Sequence, residues 1–229
     1  APSGRLAPDD VPPPPPFEQI TPRRIPPGFE ALPGMAPTIT EAPAGEPALA
    51  ALRLAEITLR RGDRVAAEER LRLVAQAWPD SDEANDALGR LAFLRDNADA
   101  SEQAWEHYLR ALVLLDRGEI DEAEDLLCAV VAIRGEALAD DALLVRAETA
   151  TWAGELTTAV DLYLMVVERC PESLWAPEAL LRAARLLRDA LGDPARAAEV
   201  LRQLVDGYPT SAAARQARSE LELLRGVSP

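Results

Sequence analysis

The sequence predicts an all-α protein, with antiparallel helical hairpins stacked as a right-handed solenoid behind an extended proline-rich arm. Three observations carry this expectation. Helix-like runs end in Pro-x-Ser three times, at Pro79-Asp80-Ser81, Pro171-Glu172-Ser173 and Pro209-Thr210-Ser211. Seventeen residues before each proline stands a glycine (Gly62, Gly154, Gly192), and five residues after each glycine an alanine (Ala67, Ala159, Ala197). Gly118 and Ala123 repeat that spacing without a closing proline. Finally, the apolar period is helical from Pro47 to Leu224. Punctuation at a fixed period is the mark of stacked helical repeats, which offer an extended binding surface and not a buried catalytic pocket.

In chain order, residues 1–45 hold 13 of the 20 prolines, including Pro12 to Pro16. Proline fixes φ and lacks an amide donor, so this segment is expected to be extended, reaching at most roughly 140 Å at about 3.1 Å per residue. Phe17, Ile20, Ile25, Phe29, Leu32 and Met35 give it more apolar character than a plain spacer. The segment reads either as a linker or as an arm whose apolar residues anchor it in grooves of a partner or of the chain's own solenoid. The solenoid is expected over 46–229, with helices at 47–61, 64–78, 81–95, 100–117, 120–134, 137–152, 155–170, 173–190, 194–207 and 211–225. Loops of two to four residues force neighbours antiparallel. Ser81, Ser173 and Ser211 are placed to cap helix N-termini, and the prolines before them block continuation of the preceding helix. Gly62, Gly118, Gly154 and Gly192 suit the left-handed residue that ends a helix. Trp78 is assigned to a hairpin junction. The last helix mixes Arg215, Arg218, Glu220, Glu222 and Arg225 with Leu221 and Leu224, as a capping helix should.

One interval breaks the period. Gly62 to Gly118 spans 56 residues, against 36 and 38 for the next two intervals. Either 100–117 is the second helix of a degenerate hairpin begun by 81–95, or the array carries one odd helix. The first arrangement, five hairpin-like pairs, is favoured, with irregular packing around Arg95 to Asp99.

These positions resemble the tetratricopeptide repeat family. Leu54, Ala55, Gly62, Ala67, Leu71, Val74 and Pro79 follow its pattern. So do Ala147, Gly154, Ala159, Tyr163, Val166 and Pro171, and Gly192, Ala197, Leu201, Leu204 and Pro209. Gly118, Ala123, Leu127 and Val130 match up to Gly135, which replaces the proline. The third first-helix is a residue or so longer than the others, and the early Trp and Tyr positions are mostly Ala, Thr or Leu. The alanines are small where two helices come closest, and the bulky residues four positions on fill the gap to the next hairpin. In its Pro-x-Ser endings the chain is similar in style to repeats of bacterial envelope proteins, namely the outer-membrane assembly lipoprotein and the periplasmic TolA-associated division coordinator. That resemblance implies a periplasmic or cell-envelope location, with the cytoplasm as alternative. The lipoprotein's N-terminal cysteine has no counterpart, since the first cysteine is Cys128. Ala1-Pro2-Ser3-Gly4 reads as the product of signal-peptide cleavage or as an expression boundary.

Composition narrows the chemistry. All 24 basic residues are arginine, so Schiff-base and P-loop lysine chemistry are excluded. Residues 99–161 hold 15 acids and 4 arginines, which disfavours a phosphate backbone as partner; the excess suits a basic partner, while solvated helix faces of an acidic protein are its more common meaning. No apolar run is long enough for a membrane span, the longest being Leu126 to Ile133. Cys128 and Cys170, in apolar contexts, read as small buried hydrophobes. His107 is the only histidine and reads as structural. The acids from Glu119 to Asp125 lack the pattern of a calcium loop. No cofactor or metal is expected, and no enzyme activity.

The expected function is a non-catalytic scaffold that holds a peptide or helical segment in its concave groove, with the proline-rich arm as a second contact. The alternative is a structural subunit of a large envelope machine (secretion, pilus or respiratory) with its arm ordered on neighbours. Groove candidates are Glu56, Trp105, Tyr108, Leu112, Leu144, Glu148, Trp152, Trp175, Arg182 and Arg185, aromatics and arginines being the usual anchors of such surfaces. Phe17 and Phe29 are the arm candidates. Arg182, Arg185 and Arg188 form a stripe that reads as a solvated helix face or as a clamp for an acidic tail.

Overall fold

The computed structural model describes residues 46–226, and the arm, with Phe17 and Phe29, lies outside them. Among the described residues the structure is ten α-helices and no strand. They are α1 (Glu46–Arg60), α2 (Arg64–Ala77), α3 (Asp82–Asp96), α4 (Glu102–Asp116), α5 (Ile120–Ala132), α6 (Ala139–Trp152), α7 (Leu156–Arg169), α8 (Ala176–Arg185), α9 (Pro194–Gly207) and α10 (Ala212–Gly226). A π-helical turn, Leu186–Ala190, extends α8. Most consecutive helices pack on one another as in a repeat solenoid.

The repeat punctuation works as its chemistry requires. Gly62, Gly118, Gly154 and Gly192 all take positive φ, as does Gly135. Ala67, Ala123, Ala159 and Ala197 are fully buried at the close approaches. Ser81 and Ser211 cap α3 and α10, their hydroxyls accepting from the amides of Ala84 and Ala214 at 3.1 and 3.0 Å. Trp78 ends α2 and packs against the first core. At Gly154 a Cβ would meet nothing within 4 Å, so only the backbone resists one. Gly154→Ala should therefore lower stability by about 1 kcal/mol in urea unfolding, the cost of a left-handed non-glycine residue.

Three expectations are corrected. Ser173 does not cap a helix: α8 begins at Ala176, and the Ser173 hydroxyl accepts from the Trp175 amide at 3.0 Å while donating to the Asp140 carboxylate. Cys128 is exposed, because its position on α5 falls outside the buried stripe of Ala123, Leu127, Val130 and Val131. The favoured hairpin of 81–95 with 100–117 does not form. Instead α3 packs along α2, α4 packs along α5, and α4 also rests on α1.

The reason lies in the turn between α3 and α4. Asn97 is buried, and its Nδ2 donates to the Phe93 carbonyl at 3.1 Å and to Asp141 Oδ2 at 2.9 Å. The Ser101 hydroxyl donates to Glu136 at 2.8 Å and accepts from the Ala104 amide, capping α4. These bonds fasten the turn to the junction between α5 and α6, so α4 leaves α3 instead of folding back along it.

Two cores result. Leu52, Ala55, Leu71, Val74 and Ala87 form a small one within α1–α3. A larger one runs from α4 to α10, buries Leu59 and Ala67 from the first three helices, and has the partly buried Phe93 and Leu94 of α3 packed against it. Within the first unit α3 lies on α2 and touches α1, the relation α10 has to α9 and α8. The chain is thus two arrays, each closed by a single helix. Across the seam, Arg60 pairs with Asp116 and Arg64 with Glu102, and the Arg64 guanidinium lies 5.0 Å from the Trp105 ring centre.

Candidate functional site

The departure of α4 from α3 leaves a cleft of ≈ 340 Å³ at the seam, within the size range of ligand pockets. One wall comes from Glu56, Leu59 and Arg60 of α1, facing Asp86, Gly89, Arg90 and Phe93 of α3. Tyr108, Leu109 and Leu112 of α4 supply apolar surface. The far end is built from Asp140 and Asp141 at the start of α6 and from Glu172, Ser173, Leu174 and Trp175 in the junction before α8. Phe93 stands edge-on to Trp105, with centroids 5.5 Å apart and rings at 83°, and it also packs on Tyr108 at 5.8 Å. Aromatic pairs in such geometry add about 0.5–1.5 kcal/mol beyond their buried area.

Gly89 sits in the middle of α3, where glycine costs about 1 kcal/mol relative to alanine. A Cβ there would meet nothing within 4 Å. No neighbouring side chain requires the missing Cβ. What the glycine does is leave the helix backbone bare on the cleft wall, the arrangement that lets a ligand come close.

The cleft is acidic. Six carboxyl groups and two arginines line it, and both arginines are already paired, Arg90 with Glu56 and Arg60 with Asp116. Asp141 is the most perturbed of the acids. Burial and then the neighbouring Asp140 push its carboxyl up to about 8, against hydrogen bonds from Asn97 and Trp175 that favour the charged form. Burial, reinforced by Asp141, Glu148 and Asp140, likewise raises the Tyr108 phenol.

The sequence candidates divide around this cleft. Glu56, Tyr108, Leu112 and Trp175 line it. Trp105 is buried at 3 % exposure behind that wall and Leu144 is buried in the α4–α10 core, so neither is an exposed anchor. Trp152 is 42 % exposed at the end of α6, away from the cleft. Arg182 pairs with Glu148 and Glu178, joining α6 to α8. Arg185 pairs with Glu220 and also donates to Gln216, and Arg188 bonds Glu220 and Asp189. The arginine stripe is therefore neither free nor simply solvated, since it ties α8 to α6 and to the closing helix α10.

The residues that sequence reasoning missed are Gly89, Asn97, Asp140, Asp141 and Leu174. The only sequence signal near them is the 56-residue interval, which marks where the period fails but not what converges there. His107 is half-buried on α4. Among the described residues no three of His, Cys, Asp and Glu are grouped to hold a metal ion, and no helix is long and apolar enough to cross a membrane.

No curated protein matches the sequence. A family model described as tetratricopeptide repeat matches residues 178–211, from α8 through α9 to the Pro209-Thr210-Ser211 junction, and this match supports a repeat of that family over those residues.

Proposed function

We propose that the chain is a non-catalytic protein-interaction scaffold and that its partner seats in the seam cleft, with the envelope of a bacterial cell as its place of work. Repeats of this family generally bind proteins and are typically non-catalytic. The observation that carries the reading is the cleft itself: an apolar wall of Phe93, Tyr108, Leu109 and Leu112 beside acids, with a bare helix backbone at Gly89. That chemistry suits a segment that alternates apolar and basic side chains. The envelope location is supported by the style of the Pro-x-Ser junctions.

Gly89→Leu separates this role from a structural one. It projects a side chain into open space and replaces a poor helix former with a good one. Stability should rise by roughly 0.5–1 kcal/mol, while partner recovery in a pull-down from the native cell should fall at least tenfold. Undiminished recovery by the variant would remove the cleft from the function. Fractionation of the same cells checks the location, and recovery with the cytoplasm would refute the envelope assignment.

A further inference from the structure

Apart from aromatic residues, two polar side chains are buried among the described residues, Asn97 at 4 % and Asp141 at 8 % exposure, and they bond to each other across the seam. A buried polar pair holds a fold together only while its donors and acceptors stay matched. Both amide hydrogens of Asn97 are engaged, one by Asp141 and the other by the Phe93 carbonyl of α3. Arg60 with Asp116 and Arg64 with Glu102 also cross the seam, but as exposed ion pairs, which contribute little. The Asn97–Asp141 bond is therefore the inner fastening between the end of α3 and the start of α6.

The surroundings of Asp141 resist a charge there. From α6 itself comes Asp140, held in place because one oxygen accepts from the Asp141 amide and the other from the Ser173 hydroxyl. From the end of α3 comes Asp96. Helix α4 presents the Tyr108 phenol, and the end of α7 presents the Cys170 thiol, which burial and then Asp140 push up. Arg169, next to Cys170, donates to the Val131 carbonyl, and Glu136, between α5 and α6, is engaged by Ser101. Asn97 and Trp175 favour the anion by hydrogen bonding, but burial and the two neighbouring acids prevail. A seam opened to water would return the carboxyl to its ordinary range, so opening releases a proton.

We infer that Asn97 and Asp141 form a proton-held latch: while Asp141 keeps its proton the end of α3 stays fastened to α6, and loss of that proton opens the seam locally and shifts the Phe93 wall of the cleft. Opening and release of one proton are linked. The open fraction should therefore rise by up to about tenfold per pH unit above roughly pH 4, where the hydrated carboxyl ionises, and level off above about 8. The latch is a property of the chain alone and stands whether or not a partner seats in the cleft.

Hydrogen exchange of the full 229-residue chain, followed by NMR at pH 5, 6 and 7 and corrected for the intrinsic pH dependence of exchange, reads the opening. The amides of Asn97 and Ala142, bonded to the Phe93 and Leu138 carbonyls, report on the two sides of the latch. The amide of Tyr163 in α7 reports on the large core. The latch amides should open about a hundredfold more at pH 7 than at pH 5, and exchange faster than that of Tyr163 throughout. In Asp141→Asn, which keeps an acceptor for Asn97 and carries no charge, that rise should vanish. A rise that the variant retains, or no rise in the wild-type chain, overturns the latch. So does protection of Asn97 and Ala142 equal to that of Tyr163 at all three pH values, since the seam would then open only with the whole fold.

Discussion

Asp141→Asn should make the protein more stable at pH 9 and remove most of its pH dependence between pH 4 and pH 8. In the fold the carboxyl is held at about 8, against an ordinary value of 3.8. Between those two pH values the native state keeps a proton that the unfolded chain has released. The slope of unfolding free energy with pH, set by protons bound in the unfolded minus the native state, is then negative. Stability contributed by the neutral carboxyl is complete below about pH 4, falls as pH rises toward 8, and is gone above it. The start of α6 would by itself favour a charged acid through the helix dipole, by roughly 0.3–1 kcal/mol. Burial beside Asp140 outweighs that, at about 6 kcal/mol at most for a rise of this size. Asparagine keeps an oxygen for the Asn97 amide and carries no charge at any pH. Urea unfolding of both proteins at pH 5, 7 and 9 checks the expectation, and parallel slopes would show that Asp141 ionises normally.

Leu71→Ala should cost about 3 kcal/mol, and the loss should stay within α1–α3. Leu71 is fully buried in the small core, where truncation removes transfer energy and leaves a cavity. A loss of that size corresponds to about a hundredfold faster amide exchange, which should appear across α1–α3 while α6–α9 keep their protection. Leu180→Ala, in the large core, should produce the converse pattern. Hydrogen exchange read by mass spectrometry distinguishes them. A uniform loss of protection in either variant would mean that the seam couples the two cores into one cooperative unit.

The parts of this fold that were legible in the sequence are those written in local chemistry. Gly62, Gly118, Gly154 and Gly192 needed a left-handed backbone, and Ala67, Ala123, Ala159 and Ala197 needed close helix approach, so their spacing disclosed the hairpins. Ser173 misled because its motif equals that of Ser81, yet its hydroxyl is drawn to Asp140, 33 residues earlier. The pairing of α3 was likewise hidden. Its helix pattern is ordinary, and what keeps α4 from folding back along it is Asn97 bonding to Asp141 across 44 residues. The cleft is a product of that same long-range contact. Glu56, Tyr108 and Trp175 could be nominated one by one as groove residues, but no periodicity brings them together. Gly89, which distinguishes the cleft most clearly, is in the sequence one glycine inside an ordinary helical run, with no local feature that marks it as a cleft wall.

The π-helical turn at Leu186–Ala190 bears on how this chain can change length. Its bond from the Leu191 amide to the Leu186 carbonyl, 3.0 Å, takes up surplus helix while Leu187 stays fully buried and Gly192 still ends the run. Removing one residue between Arg188 and Ala190 should let the turn close as ordinary α-helix with both anchors in place. A single codon could thus be lost there without shifting any other hairpin, so at this point the repeat carries one residue more than its helix order needs.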